Sequence, residues 1–258
     1  VDLFANERYA KIVEMLRGRS TVTVSELMKL FGVSIETVRR DLQYLEGQHV
    51  LKRVHGGAVS NHKMKSFAKL DERMSENKQL KQQIAQIALP FIHDGDTIAI
   101  DSGSTAMELV PLLKERRQRL TIITNSPEVF GSLCNTEGFQ LILIGGQYLR
   151  EERAFYGHIA MDAINRLHFS KAFIFPSSVS LMNGIGVFVH ELFDIQRAYI
   201  NNADEVFILA DSTKFETSAT IKLCDLSPSF NLITDSGMSE HTYKLYKENG
   251  FQIRKSEE

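Results

Sequence analysis

Apolar residues recur at helical spacing from Asn6 to Arg17, where Tyr9, Ile12, Val13 and Leu16 share one face and Gly18 closes the segment. Thr21 to Thr23 reads as a very short strand. Val24 to Phe31 reads as a second helix with Leu27, Leu30 and Phe31 facing inward, and Gly32-Val33 then makes a tight turn. Ser34 follows as an N-cap, because its hydroxyl can accept from an otherwise unpaired amide of the first turn. The third helix runs to about Glu46 on the stripe Val38, Leu42 and Leu45, and Gly47 stops it. Two short extended runs, Val50 to Val54 and Gly56 to Val59, flank a glycine pair and predict a β-hairpin.

Residues 60–76 are polar, without a clear period, and read as a linker. From Glu76 a helix begins with Leu80, Ile84, Ile87 and Ala88 on one face, ending near Pro90 to Ile92. Apolar strand-like runs then appear at Thr97–Ile100, Leu120–Thr124, Phe139–Ile144, Lys171–Phe175, Glu205–Ala210 and Leu232–Thr234. Helical patterns fall between several of them, at Ala106–Leu113, Ser126–Leu133 and Leu192–Ala203. Continuous apolar strands alternating with helices indicate an open, largely parallel α/β sheet covered on both faces. The expected domains are 1–59, a 60–76 linker and 77–258. No internal repeat or low-complexity tract stands out.

Composition sharpens this picture in one respect. The chain of 258 residues is 43% hydrophobic, enough for a real core, and its net charge is only −2. That balance hides an asymmetry: residues 1–82 carry 15 basic against 10 acidic side chains, and residues 83–258 carry 15 against 22. A basic head on an acidic body places any polyanion at the front. Cys134 and Cys224 lie apart, inside apolar stretches and without a histidine cluster, and read as buried small hydrophobes in a reducing compartment. No secretory-type apolar region opens the chain, and no run approaches the ~20 residues that span a bilayer. A cytoplasmic protein without membrane, metal or cofactor is the expectation.

Helix, turn, helix and basic hairpin together have the layout of a winged helix-turn-helix, whose third helix enters a major groove of double-stranded DNA. The face opposite Val38, Leu42 and Leu45 carries Glu36, Thr37, Arg39, Arg40, Gln43 and Tyr44. An arginine near the start of such a helix can reach a guanine edge bidentately or clamp a phosphate. Ser34, Thr37 and Tyr44 can donate to phosphates, and Lys52, Arg53 and His55 on the wing can hold flanking backbone or minor groove. Asp41 is expected to have an internal role, pairing with Arg39 or Arg40. The competing reading is an ordinary helical bundle whose charges only solvate it.

In the body, Asp96 to Leu109 reads as a strand, a Ser/Gly/Thr turn and a helix. The turn Asp101-Ser102-Gly103-Ser104-Thr105 exposes amides and hydroxyls at a helix N-terminus, which suits an anion such as phosphate. Further loops follow strand ends at Thr124-Asn125-Ser126, Gly145-Gly146 and Asp211-Ser212-Thr213-Lys214-Phe215. In open α/β sheets ligands bind outside the carboxyl ends of the strands, so these loops can share one crevice, with Asn125, Gly146, Asp211 and Lys214 as candidates beside the turn. Taken singly, each loop is also consistent with a simple cap or turn.

Leu27 to Ser34, Glu36 to Leu42, Leu45-Glu46 and Arg53 to Ala58 together resemble the signature of DeoR-type repressors. The resemblance extends over nearly the whole chain through Asp101 to Thr105, Thr124 to Ser126, Gly145-Gly146, Ala154 to Gly157 and Ala210 to Phe215. It implies a sensor domain similar in fold to ribose-5-phosphate isomerase and responsive to phosphorylated sugars. It also implies that Asp101 to Thr105 and Lys214 bind the effector. One departure is visible: where the family usually has a glycine-containing loop, this chain has Pro176-Ser177-Ser178-Val179, which stiffens the loop and adds side chains.

The expected function is a transcriptional repressor of a carbohydrate-utilisation operon, acting as a homodimer or homotetramer on operator DNA. The alternative is a sugar-phosphate isomerase with a DNA-binding head. Asp101, Asp211, Glu191 and Lys214 are residue types an isomerase uses, but no motif joins them as acid and base, and no catalytic residue is expected. A third possibility keeps the fold as a protein-interaction module, against which the basic helix and wing argue.

Overall fold

In a computed structural model of the chain, residues 5–19, 21–48, 51–54, 56–60 and 69–256 are described. The chain divides into two units, Val1–Phe67 and Ala68–Glu258. In the first, α1 (Ala5–Arg19) is followed by β1 (Thr21–Thr23), α2 (Val24–Phe31), α3 (Ile35–Gly47), β2 (Leu51–Val54) and β3 (Gly57–Ser60). Thr23 caps α2 by accepting the Glu26 amide at 3.2 Å, and Ser34 caps α3 by accepting the Thr37 amide at 3.3 Å. The three strands form an antiparallel sheet in the order β1-β3-β2. Ile12, Leu16, Leu27, Phe31, Val38, Leu42, Leu45 and Leu51 make its core. Leu30 is a correction: expected inward, it is 49% exposed. On so short a helix only Leu27 and Phe31, four residues apart, are fully buried.

The second unit begins with α4 (Leu70–Ser75) and α5 (Lys78–Ala88), then β4 (Thr97–Ile100), α6 (Ala106–Arg116), β5 (Leu120–Thr124), α7 (Pro127–Leu133) and β6 (Phe139–Leu143). A hairpin of β7 (Gln147–Leu149) and β8 (Ala154–Tyr156) leads to α8 (His158–Ile164) and β9 (Phe169–Ile174). After them come β10 (Ser178–Ser180), β11 (Gly184–Val187), α9 (Phe193–Asn201), β12 (Ala203–Leu209), β13 (Ile221–Cys224), β14 (Asn231–Ile233), α10 (Glu240–Glu248) and β15 (Gln252–Arg254). Seven strands form one parallel sheet in the order β15-β14-β12-β9-β4-β5-β6.

Successive side chains of a strand point to opposite faces, and two cores follow. Ala99, Ile123, Ala172, Ile174, Ile208 and Leu232 pack with Ile164, Ile195, Tyr199 and Tyr246 on one face. Ile98, Ile100, Ile122, Phe173, Phe207 and Ile233 pack with Ile84, Ala88, Leu109, Leu113 and Leu133 on the other. The chain runs from β4 outward through β5 to β6, then returns to the other side of β4 with β9. The direction of winding therefore reverses between β4 and β9, where a doubly wound sheet opens its crevice.

Residues 69–76, expected as linker, differ from that expectation. Six of them form α4, Leu70 is buried, and its amide donates to the Glu151 carbonyl at 3.2 Å. Residues 61–68 of the expected linker lie outside the described residues. The cysteines are also corrected: Cys134 is exposed at the end of α7 and Cys224 is half-buried. Burial and the neighbouring Asp225 push the Cys224 thiol up to about 11. Among the described residues no helix is long and apolar enough to cross a membrane.

Candidate functional site

On α3 the buried face is Val38, Asp41, Leu42 and Leu45. Asp41 is 3% exposed and accepts two hydrogen bonds from the Arg8 guanidinium of α1, at 2.7 and 3.0 Å. Its partner is thus Arg8, not Arg39 or Arg40. An aspartate on the inner face cannot reach its outward-turned neighbours, whereas α1 crosses beneath it. Arg39 and Arg40 are exposed, as are Ser34 and Glu36. No ion pair or hydrogen bond engages either arginine among the described residues.

The other head residues are partly committed within the protein. The Ser34 hydroxyl caps α3 and lies 3.1 Å from the Thr37 hydroxyl. Tyr44 is half exposed, with its ring stacked on Tyr9 at 4.6 Å. Arg53 donates its side-chain Nε to Glu46 at 2.6 Å, and its amide donates to the same carboxylate at 2.8 Å. That pair fastens β2 of the wing to the end of α3. Lys52 lies on β2 opposite Val59, and His55 lies outside the described residues.

In the second unit the turn after β4 is buried throughout, from Asp101 to Thr105. Asp101 accepts the Gln196 amide at 2.6 Å and the Ser102 amide at 2.8 Å, and the Phe175 amide also donates to it. Burial nevertheless pushes its carboxyl up to about 7. The Ser102 hydroxyl, the Asn125 side-chain carbonyl and the Gln196 side-chain carbonyl are buried without a protein partner. Buried polar atoms are normally satisfied, so such atoms at strand ends suit a ligand or water. At Gly103 an added Cβ would meet the Phe175 Cβ at 3.3 Å, so the turn lies directly on the end of β9.

Asn125 also has a structural task. Its side-chain amide donates to the Phe155 carbonyl at 3.1 Å, and its own carbonyl accepts the Phe155 amide at 2.8 Å, tying the hairpin to β5. Gly146 has φ +152°, and an added Cβ would fall 2.5 Å from the Tyr156 carbonyl, so close backbone approach accounts for this glycine. Asp211 caps the turn after β12 by accepting the Thr213 amide at 3.1 Å. Half-buried Lys214 donates to the Pro176 carbonyl at 2.9 Å, engaging the departing loop directly. Burial pulls its ammonium below the ordinary lysine range, Asp211 opposes this, and the positive charges of Arg73 and Lys81 add to it.

Arg73 and Lys81 were not read from the sequence as site residues. Lys81 is 3% exposed and donates to the carbonyls of Arg73 and Glu76. Burial lowers its pKa, and Asp211 is the strongest opposing charge. Arg73 pairs with buried Glu152, whose carboxyl is raised by burial against the pull of Arg73. A lysine in register with Ile84, Ala85 and Ala88 on the buried face of α5 was the one available signal. Arg73, Lys81 and Lys214 thus lie close enough to act on one another's charge, with Asp211 favouring the charged form of both lysines. Among the described residues no group of His, Cys, Asp and Glu could hold a metal.

Comparison with known proteins agrees with this division. The DeoR-like helix-turn-helix domain matches residues 8–64, and the DeoR C terminal sensor domain matches residues 76–236. The lactose phosphotransferase system repressor of Lactococcus lactis is 37% identical over 90% of this chain and 91% of its own. The HTH-type transcriptional regulator YulB of Bacillus subtilis is 33% identical over 96% and 95% respectively. Ribose 5-phosphate isomerase A of Methanocaldococcus jannaschii aligns over 54% of this chain and 55% of its own, at 18% identity and a TM-score of 0.40, too weakly to bear on activity. With both domain matches, and with relatives aligned nearly end to end, the chain belongs to the DeoR family of transcriptional regulators.

Proposed function

We propose that this DNA-binding regulator represses a carbohydrate-utilisation operon and that a phosphorylated sugar in the crevice of the second unit controls it. The observation that carries the DNA-reading part is the disposition of α3. Its acidic residue Asp41 is neutralised inside by Arg8, and Arg39 and Arg40 are left outward and unengaged among the described residues. Such a helix offers a phosphate backbone two cations without an opposing Asp41 charge, and it offers base edges an arginine fork. Ser34, Glu36, Thr37 and Tyr44 flank them on α3, with Lys52, Arg53 and His55 on the wing.

The anion reading rests on the buried hydroxyl-rich turn 101–105 at the N-terminus of α6, the unpartnered polar atoms beside it, and the three nearby cations. Asp101, Ser102, Gly103, Ser104, Thr105, Asn125, Gly146, Asp211 and Lys214 are its candidate residues, with Arg73 and Lys81 added. The L. lactis relative is named for a lactose phosphotransferase system, and a relative of Escherichia coli for an aga operon, both as repressors. A homodimer or homotetramer would place two heads on one operator and gain from high effective concentration.

The test is a gel shift with the region upstream of the chain's own gene cluster, titrated with salt and with competitor DNA. A sequence-dependent shift that weakens as salt rises and is released by a sugar phosphate is the expected result. A shift indifferent to sequence, or to every sugar phosphate, overturns the corresponding half of the proposal.

A further inference from the structure

The turn between β7 and β8 holds α4 by several contacts. Leu70 donates its amide to the Glu151 carbonyl, and Arg73 pairs with Glu152. Arg153 spans from Asp71 at 2.6 Å to Glu128 at 3.1 Å. These contacts are unequal. Arg153 and Asp71 are 39% and 69% exposed, so water and salt screen them and they contribute little. Arg73 and Glu152 are 14% and 7% exposed, where removing one partner is costly. The Arg73–Glu152 pair is therefore the stronger of the two ion pairs by which the β7–β8 turn holds α4, while Lys81 of α5 holds the carbonyls of Arg73 and Glu76.

The same carboxylate is poorly placed in another respect. It is buried, and the Asp101 carboxyl of the crevice senses its charge. Its partner Arg73 belongs to the group of cations around Lys214. A phosphate carries about −1.5 to −2 charge and three strong acceptor oxygens, so it answers several cations better than one carboxylate does. Neighbouring Glu151 is exposed, so the turn has access to water for a released carboxylate.

We propose that Glu152 is an anionic placeholder: it occupies Arg73 and pins α4 until the phosphate of an effector takes that guanidinium over and frees the helix leading to the head. This rests on the reading that the crevice receives a phosphorylated metabolite. It makes Glu152 a positioning residue that sets both the resting state and the requirement for an anion.

The test uses the full chain, with inorganic phosphate and ribose 5-phosphate as probes, read by melting temperature and by amide hydrogen exchange of residues 70–75. Glu152→Gln keeps the shape and removes the charge. It should lower the half-saturating probe concentration about tenfold and raise exchange in α4 even without probe. Arg73→Gln should raise that concentration, and a general folding defect would not move the two variants in opposite directions. Equal probe responses of Glu152→Gln and the unaltered chain, with unchanged exchange in α4, would remove the role of Glu152 and leave the anion reading standing. If no protein responds to either probe, the anion reading falls, and this proposal with it.

Discussion

Asp41 sits on α3, the helix proposed to meet DNA, and its inward bond to Arg8 keeps its charge off the outer face. Both side chains are largely buried, at 12% and 4% exposure. Removing one partner from such a pair typically costs about 3–5 kcal/mol, because the remaining charge is left without compensation. Arg8→Ala should therefore unfold the head at markedly lower urea, and Arg8→Ala combined with Asp41→Asn should recover part of the loss. Asp101 presents the opposite case. Its carboxyl has an ordinary value of 3.8 and is raised to about 7 in the folded chain. Between those values the native state keeps a proton that the unfolded state has released, so this group lowers stability as pH rises through the window. Asn at 101 can still accept from the Ser102 and Phe175 amides, and the unpartnered Gln196 carbonyl can turn to accept its amide. Urea titrations from pH 4 to 7 should show Asp101→Asn gaining on the unaltered chain as pH rises. A constant difference would mean that Asp101 titrates near its ordinary value.

At the scale of elements, α3 and the wing act together, since Glu46 at the end of α3 accepts both the amide and the guanidinium of Arg53. An arginine so engaged has less to offer DNA than one that is free. Arg40→Ala should cost about 1–3 kcal/mol of operator binding and relax specificity at one base position, if it reads a guanine. Arg53→Ala should cost less than about 1 kcal/mol, spread evenly over sequences. Binding titrations on the operator and on scrambled DNA would compare the two. The helices of the head were legible because each carries an apolar stripe, and α3 opens on its Ser34 cap, although α1 runs on through Gly18 to Arg19. The central strands were legible for another reason: buried on both faces, they are continuous apolar runs. Short elements without such a signature were not. α4 offers only Leu70 as a buried apolar residue, and β15 only Ile253. β10 and β11 bury Ser178, Ser180 and Gly184, whose types do not announce a strand.

For the whole molecule, two units, a basic front and a parallel sheet could be read from pattern and charge. The strand order could not, because β9 returns to pair with β4 across four intervening strands, β5 to β8. The loops of the candidate site were legible where their residue types suit an anion, as in the 101–105 turn and at Lys214. The proposed additions Arg73 and Lys81 were not legible, because helical cations resemble surface charge. This division bears on regulation, because the candidate crevice and the proposed DNA-reading helix α3 belong to different units and communicate only if effector and operator prefer different states. Coupling of that kind is a free-energy difference and is reciprocal: operator must weaken effector by the same factor by which effector weakens operator. Lys214→Ala removes a crevice cation in the second unit. Operator affinity without effector should therefore stay unchanged, while the dose of sugar phosphate needed for release rises. Its replacement also frees the Pro176 carbonyl, so a melting curve must accompany the titration to separate lost coupling from lost packing. Effector affinity measured with and without operator would complete the thermodynamic cycle. Equal values in the unaltered protein would break the link between the two units, whatever each one binds by itself.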